Sequence, residues 1–123
     1  MLPESRAALE KVMALAAALQ ARIAGLSERA YTADADLQAI AERHLITIGE
    51  ALNRVGRKEP ALFTRLPEAR LVVAFRNVLV HGYDAIDHGL VWDALTENLP
   101  RLAAVARELL GEPLSEPSTP QGD

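Results

Sequence analysis

Ala74-Phe75-Arg76-Asn77-Val78-Leu79-Val80-His81-Gly82-Tyr83 interrupts one of the most hydrophobic parts of the chain with an Arg, an Asn, a His and a Tyr. Its pattern predicts a helix over residues 68 to 81 that ends near Gly82. On a wheel of about 100° per residue, Leu71, Phe75, Val78 and Leu79 cluster around one direction. That side is expected to face the core. Arg76, Asn77 and His81 fall roughly opposite, together with Val73 and Val80. A face that mixes two valines with an Arg and a His is expected to be covered as well, by another subunit or a bound partner. Asn77 and His81, four apart, are neighbours on such a helix. Arg76 and His81 stand about 140° apart. They can meet at one ligand through the reach of Arg, an altered helix end at Gly82, or a second copy of the motif.

Outward from this stretch, the chain reads as helical framework. Leu9, Val12, Met13, Ala16, Leu19, Ile23 and Leu26 recur at helical spacing and predict a first helix over 3 to 25, with Pro3 in its first turn and Gly25 at its end. Ser27 to Ala33 is polar and reads as a loop. Residues 34 to 56 predict a second helix, with Asp34 as N-cap and Gly56 as stop. Its core stripe is Leu37, Ile40, Ala41, Leu45, Ile48, Leu52 and Val55. A mixed face of Glu42, Ile46, Gly49, Glu50 and Asn53 is expected to meet something too. Pro60 and Pro67 mark a connection with one short turn. Asp84 or Asp87 is expected to cap a fourth helix running to Leu110, kinked near Pro100 because proline lacks the N–H and clashes with the preceding turn. Residues 112–123, rich in Pro, Ser and acid, read as a disordered tail after a bundle of residues 1–111. The expected architecture is all-α, an antiparallel four-helix bundle.

Half of the 123 residues are hydrophobic and only 4% aromatic, which favours helix over sheet. Cysteine is absent, so disulfides and thiolate zinc sites are excluded. The first residues carry no apolar signal core, and no apolar run is long enough to span a bilayer, so a cytoplasmic location off the membrane is expected. A net charge of −4 argues against a general nucleic-acid coat. Any nucleic-acid chemistry then rests on a few arginines or on a partner.

His exchanges protons near neutral pH, and Arg offers a planar, permanently charged fork to phosphate oxygens. Arg76 and His81 are therefore candidates for phosphate chemistry, with Asn77 in support. The alternative is an interfacial polar cluster without chemistry. His44 reads as a core or edge histidine, His88 as a solvent-exposed turn residue and Trp92 as a packing residue. Glu50 reads equally well as a polar group beside the cleft or as an exposed carboxylate. Arg43, Arg54, Arg57 and Lys58 are a modest basic rim or simply solvated. No Glu-x-x-His pair suggests a di-metal bundle, and no cofactor is called for.

Arg76-Asn77-Val78-Leu79-Val80-His81-Gly82-Tyr83 resembles the Arg-x4-His-x-Tyr motif of the HepT-like toxins, a branch of the HEPN superfamily. Glu42-Arg43 and Ile48-Gly49-Glu50-Ala51 resemble that family's second-helix pattern, and Val91-Trp92 and Leu99-Pro100 its fourth. The Trp that members often carry shortly before the Arg is absent from residues 68 to 75. The resemblance implies a HEPN-like helical bundle that forms a homodimer with the two motifs facing a shared cleft. It implies a metal-independent RNase toxin in which the RNA 2′-hydroxyl attacks the adjacent phosphate. His81 would be the general acid or base, Arg76 would stabilise the developing charge, and Asn77 would position one of them. It also implies an MntA-like nucleotidyltransferase antitoxin that transfers AMP to Tyr83, adding bulk and negative charge near Arg76. A second expectation is a non-catalytic helical module that binds such a nucleotidyltransferase and serves as its substrate.

Overall fold

The computed structural model describes residues 1–82 and 86–112. The fold is all-α, and the described residues contain no strand. Its elements are α1 (Pro3–Ile23), α2 (Glu28–Thr32), α3 (Ala35–Lys58), α4 (Pro60–Phe63), α5 (Ala69–His81), α6 (His88–Asp93), a π-helical turn (Ala94–Asn98) and α7 (Leu99–Leu110). Tyr83, the expected modification site, lies outside the described residues, as does the expected tail apart from Glu112.

The long apolar stripe of α3 makes it the central element, because it packs against both α1 and α5. Leu45, Ile48, Leu52 and Val55 of α3 are buried with Leu9, Val12 and Leu19 of α1. Each such side chain contributes roughly 1.5–3 kcal/mol on burial. Asp34 caps α3 by accepting the Leu37 N–H at 3.0 Å, as its side chain predicts. The helix does not stop at Gly56 but runs on to Lys58. Gly56 serves packing instead, since a Cβ there would lie 3.2 Å from the Phe63 ring.

Arg6 donates to the Leu110 carbonyl and Gln20 to the Leu95 carbonyl, so α1 and the last helical stretch run in opposite senses. Pro100 does not break that stretch. The Leu99 N–H reaches back to Ala94 O, making the π turn just ahead of the proline. The Leu95 carbonyl would next look to residue 100 for a donor, and proline has none. Gln20 Nε2 supplies it across the helix interface at 3.0 Å. Glu112, the first residue assigned to the tail, is paired with Arg65 at 2.7 Å.

The segment expected to be a loop between the first two long helices contains α2. Ser27 Oγ accepts the Ala30 N–H and starts it. Tyr31 is fully buried, its ring 5.5 Å from that of Trp92. Five residues are too few to show a period, and the one apolar anchor is a Tyr among polar neighbours.

Candidate active site

The C-terminal half of α5 carries the candidate residues. Gly82, at φ 62°, ends the helix in the left-handed conformation that glycine tolerates best. His81 is therefore the last helical residue, and it is exposed.

The side of α5 that packs inward is not the one the wheel suggested. Ala69 and Val72 are buried, and the stem of Arg76 lies over Gly49 of α3. These residues place the inward direction close to Arg76 itself. Leu71 and Val78, expected in the core, are 42% and 40% exposed, while Phe75 and Leu79 pack only partly. Val73, expected to be covered by another subunit or a bound partner, packs partly against this chain's own core. The physical reason is Gly49. A Cβ at that position would fall 2.4 Å from Arg76 Cβ and 2.8 Å from its Cγ. Only a glycine lets α5 settle on α3 with an arginine at the crossing. The mixed face of α3 thus meets α5, which answers the expectation that it was covered.

From this buried stem the guanidinium reaches outward. Its Nη1 donates to Asn77 Oδ1 at 2.9 Å, and its Nη2 lies 3.7 Å from Glu50 Oε2. Nε is buried and has no hydrogen-bond partner. The Arg76 side chain thus reaches from the packed side of α5 to Asn77 on its exposed flank. Arg76 and Asn77 are brought into contact, and His81 stands one turn beyond Asn77 on the exposed side of α5. Glu50 joins this group. Its place was legible only as one of two even alternatives, because a lone carboxylate on a helix looks the same whether or not a neighbour uses it.

Beside the motif, α5 and α6 flank a shallow groove of about 330 Å³ lined by Leu71, Phe75, Val78, Ile86 and Leu90. Asp87 caps α6, its Oδ1 accepting from the Gly89 and Leu90 N–H groups. His88, expected as an exposed turn residue, is instead the first residue of α6 and half-buried. Its Nδ1 lies 3.8 Å from Glu42 Oε2 of α3. Burial pushes the Glu42 carboxyl up, and His88 pulls it partly back. Burial, and then the charge of Glu42, push the Tyr31 phenol up to about 12. Among the described residues, no three His, Asp or Glu side chains are grouped so as to hold a metal ion. No described helix is long and apolar enough to cross a membrane.

The described residues are thus all-α, with Arg76, Asn77 and His81 carried on one helix. The family described as "Ribonuclease HepT-like" matches residues 9–109, and the chain belongs to that family of ribonucleases. A protein of Caldanaerobacter subterraneus subsp. tengcongensis, named "Putative RNase TTE0752", is 24% identical over 102 residues, which cover 83% of this chain and 90% of the relative. No solved structure matches the chain.

Proposed function

We propose that this protein is a cytoplasmic endoribonuclease toxin of the HepT/MntA kind. It cleaves RNA without a metal, and its catalytic residues are Arg76 and His81 with Asn77 in support. The observation that carries the reading is the Arg76 guanidinium, anchored at the α3–α5 crossing and turned toward Asn77 on the side of the helix that ends in His81. The nucleophile in this chemistry is the RNA's own 2′-hydroxyl, which already stands beside the phosphate. The oxygen–phosphorus bond forms as the 5′-oxygen departs, leaving a 2′,3′-cyclic phosphate and a 5′-hydroxyl. The enzyme has only to move two protons and stabilise charge. An imidazole at His81 takes the 2′-hydroxyl proton or returns one to the leaving 5′-oxygen. Arg76 stabilises the extra negative charge on the phosphorus centre.

The working form is a homodimer. The uncovered apolar side of α5, with Leu71 and Val78, together with Leu90 of α6, supports it, because a patch of that kind is usually an interface. Two copies supply two His81 imidazoles, one for each proton transfer. An MntA-like nucleotidyltransferase is the antitoxin, and AMP on Tyr83, two residues past His81, blocks the site by bulk and charge. The non-catalytic alternative, a helical module that is only the substrate of that enzyme, draws on the net charge of −4.

Inducing wild type, His81→Ala and Arg76→Ala in cells tests the reading. Growth arrest with RNA breakdown by the wild type alone is expected. Three equally harmless proteins, each still receiving AMP on Tyr83 from the partner enzyme, would leave the non-catalytic module standing.

A further inference from the structure

Arg76 occupies an unusual position for a phosphate-binding side chain. Its stem is packed at a helix crossing where a single added methyl group would collide with it. Its tip is held from two sides. Asn77, its own neighbour on α5, accepts from Nη1 at 2.9 Å, and Glu50, across the crossing on α3, pairs with Nη2 at 3.7 Å. A guanidinium carries five N–H groups in a rigid plane. Two anchors on different helices fix that plane, whereas one anchor leaves it free to pivot. Each Nη also keeps a second N–H that its anchor does not use. Glu50 and Gly49 are consecutive, so the glycine that seats the arginine also fixes where the carboxylate stands.

We propose that Glu50 is a positioning residue, which sets the plane of the Arg76 guanidinium for the phosphate of the RNA. This rests on the reading of Arg76 as the residue that stabilises the reacting phosphate. Glu50 touches neither the reacting atoms nor the nucleophile. Its negative charge opposes RNA binding by like-charge repulsion, so its contribution is to rate rather than to affinity. At 3.7 Å the contact is an ion pair rather than a hydrogen bond. An amide at the same place therefore removes most of the hold.

The signature is a split between kcat and KM. Glu50→Gln is expected to lower kcat about tenfold, within what a misplaced catalytic group costs, while KM stays level or falls. Glu50→Asp recovers part of the rate. Because Glu50 is 45% exposed, its removal moves Tm little. A 2′-deoxy oligonucleotide, which cannot be cleaved, should bind the Gln variant as tightly as the wild type or more tightly. A second measurement needs no turnover. Nitrogen NMR of the Arg76 guanidinium should show hindered Nη rotation in the wild type and freer rotation in Glu50→Gln. Unchanged kcat together with unchanged Arg76 rotation overturns the proposal, as does a rise in KM at constant kcat. A wild type without RNase activity sinks the proposed function instead, and the NMR comparison then still decides whether Glu50 holds Arg76.

Discussion

Gly49 is the residue on which the candidate site depends, though it carries no chemistry. Gly49→Ala places a carbon 2.4 Å from Arg76 Cβ, and neither helix backbone can yield without moving α5. The expected cost is about 1–3 kcal/mol, as for other overpacked contacts, read as a fall in Tm with a larger fall in RNase rate. The spacing singled out the arginine, the asparagine and the histidine as candidates, and the structure brings the first two into contact. The side of the helix on which Arg76 packs was not legible. The wheel weighs only α5, where Leu71, Phe75, Val78 and Leu79 outvote one arginine, and the deciding residue stands on another helix. Glu42 offers a different test. A carboxyl whose folded pKa is raised favours the folded state fully below its unfolded value, and loses that contribution as pH rises through the folded value. Glu42→Gln should therefore gain stability over the wild type as pH rises from about 4 to about 7. Thermal melts at both pH values check this, and a gain that shrinks with rising pH would count against it.

The last helical stretch, from α6 through the π turn to α7, shows how one proline is accommodated by a residue eighty positions away in the chain. Proline at 100 leaves the Leu95 carbonyl without a backbone donor, and the Gln20 amide replaces it. Gln20→Leu strands that carbonyl in a part-buried interface and should cost about 1–3 kcal/mol. In a Pro100→Ala background the restored N–H can serve Leu95, so the same substitution should cost clearly less. Denaturation of the two single variants and the double variant measures the coupling, and strict additivity would disprove the link. The sequence reading expected a disturbance at Pro100 and could not specify its form, since the compensating donor is on α1. It missed α2 because Tyr31 and Trp92 find each other only once the helices have packed. The existence of the long helices was the most legible part, and signals that act locally, the Asp34 cap and the Gly82 stop, marked two of their ends, whereas Gly56 did not end α3.

For the molecule as a whole, the apolar groove between α5 and α6 lies alongside the helix that ends in His81. If a second copy covers it, Leu71→Glu with Val78→Glu should give a folded monomer by sedimentation, with RNase activity lost although Arg76, Asn77 and His81 are intact. A dimer that persists in the double variant would place the interface elsewhere. The central claim is that Arg76 and His81 cut RNA through its own 2′-hydroxyl. The most direct test incubates purified wild type and His81→Ala with a defined RNA in excess chelator and identifies the product ends. The account predicts 2′,3′-cyclic phosphate and 5′-hydroxyl ends from the wild type, formed at least about 100-fold more slowly by His81→Ala. Equal cleavage by both proteins, or 3′-hydroxyl and 5′-phosphate ends from the wild type, would contradict it.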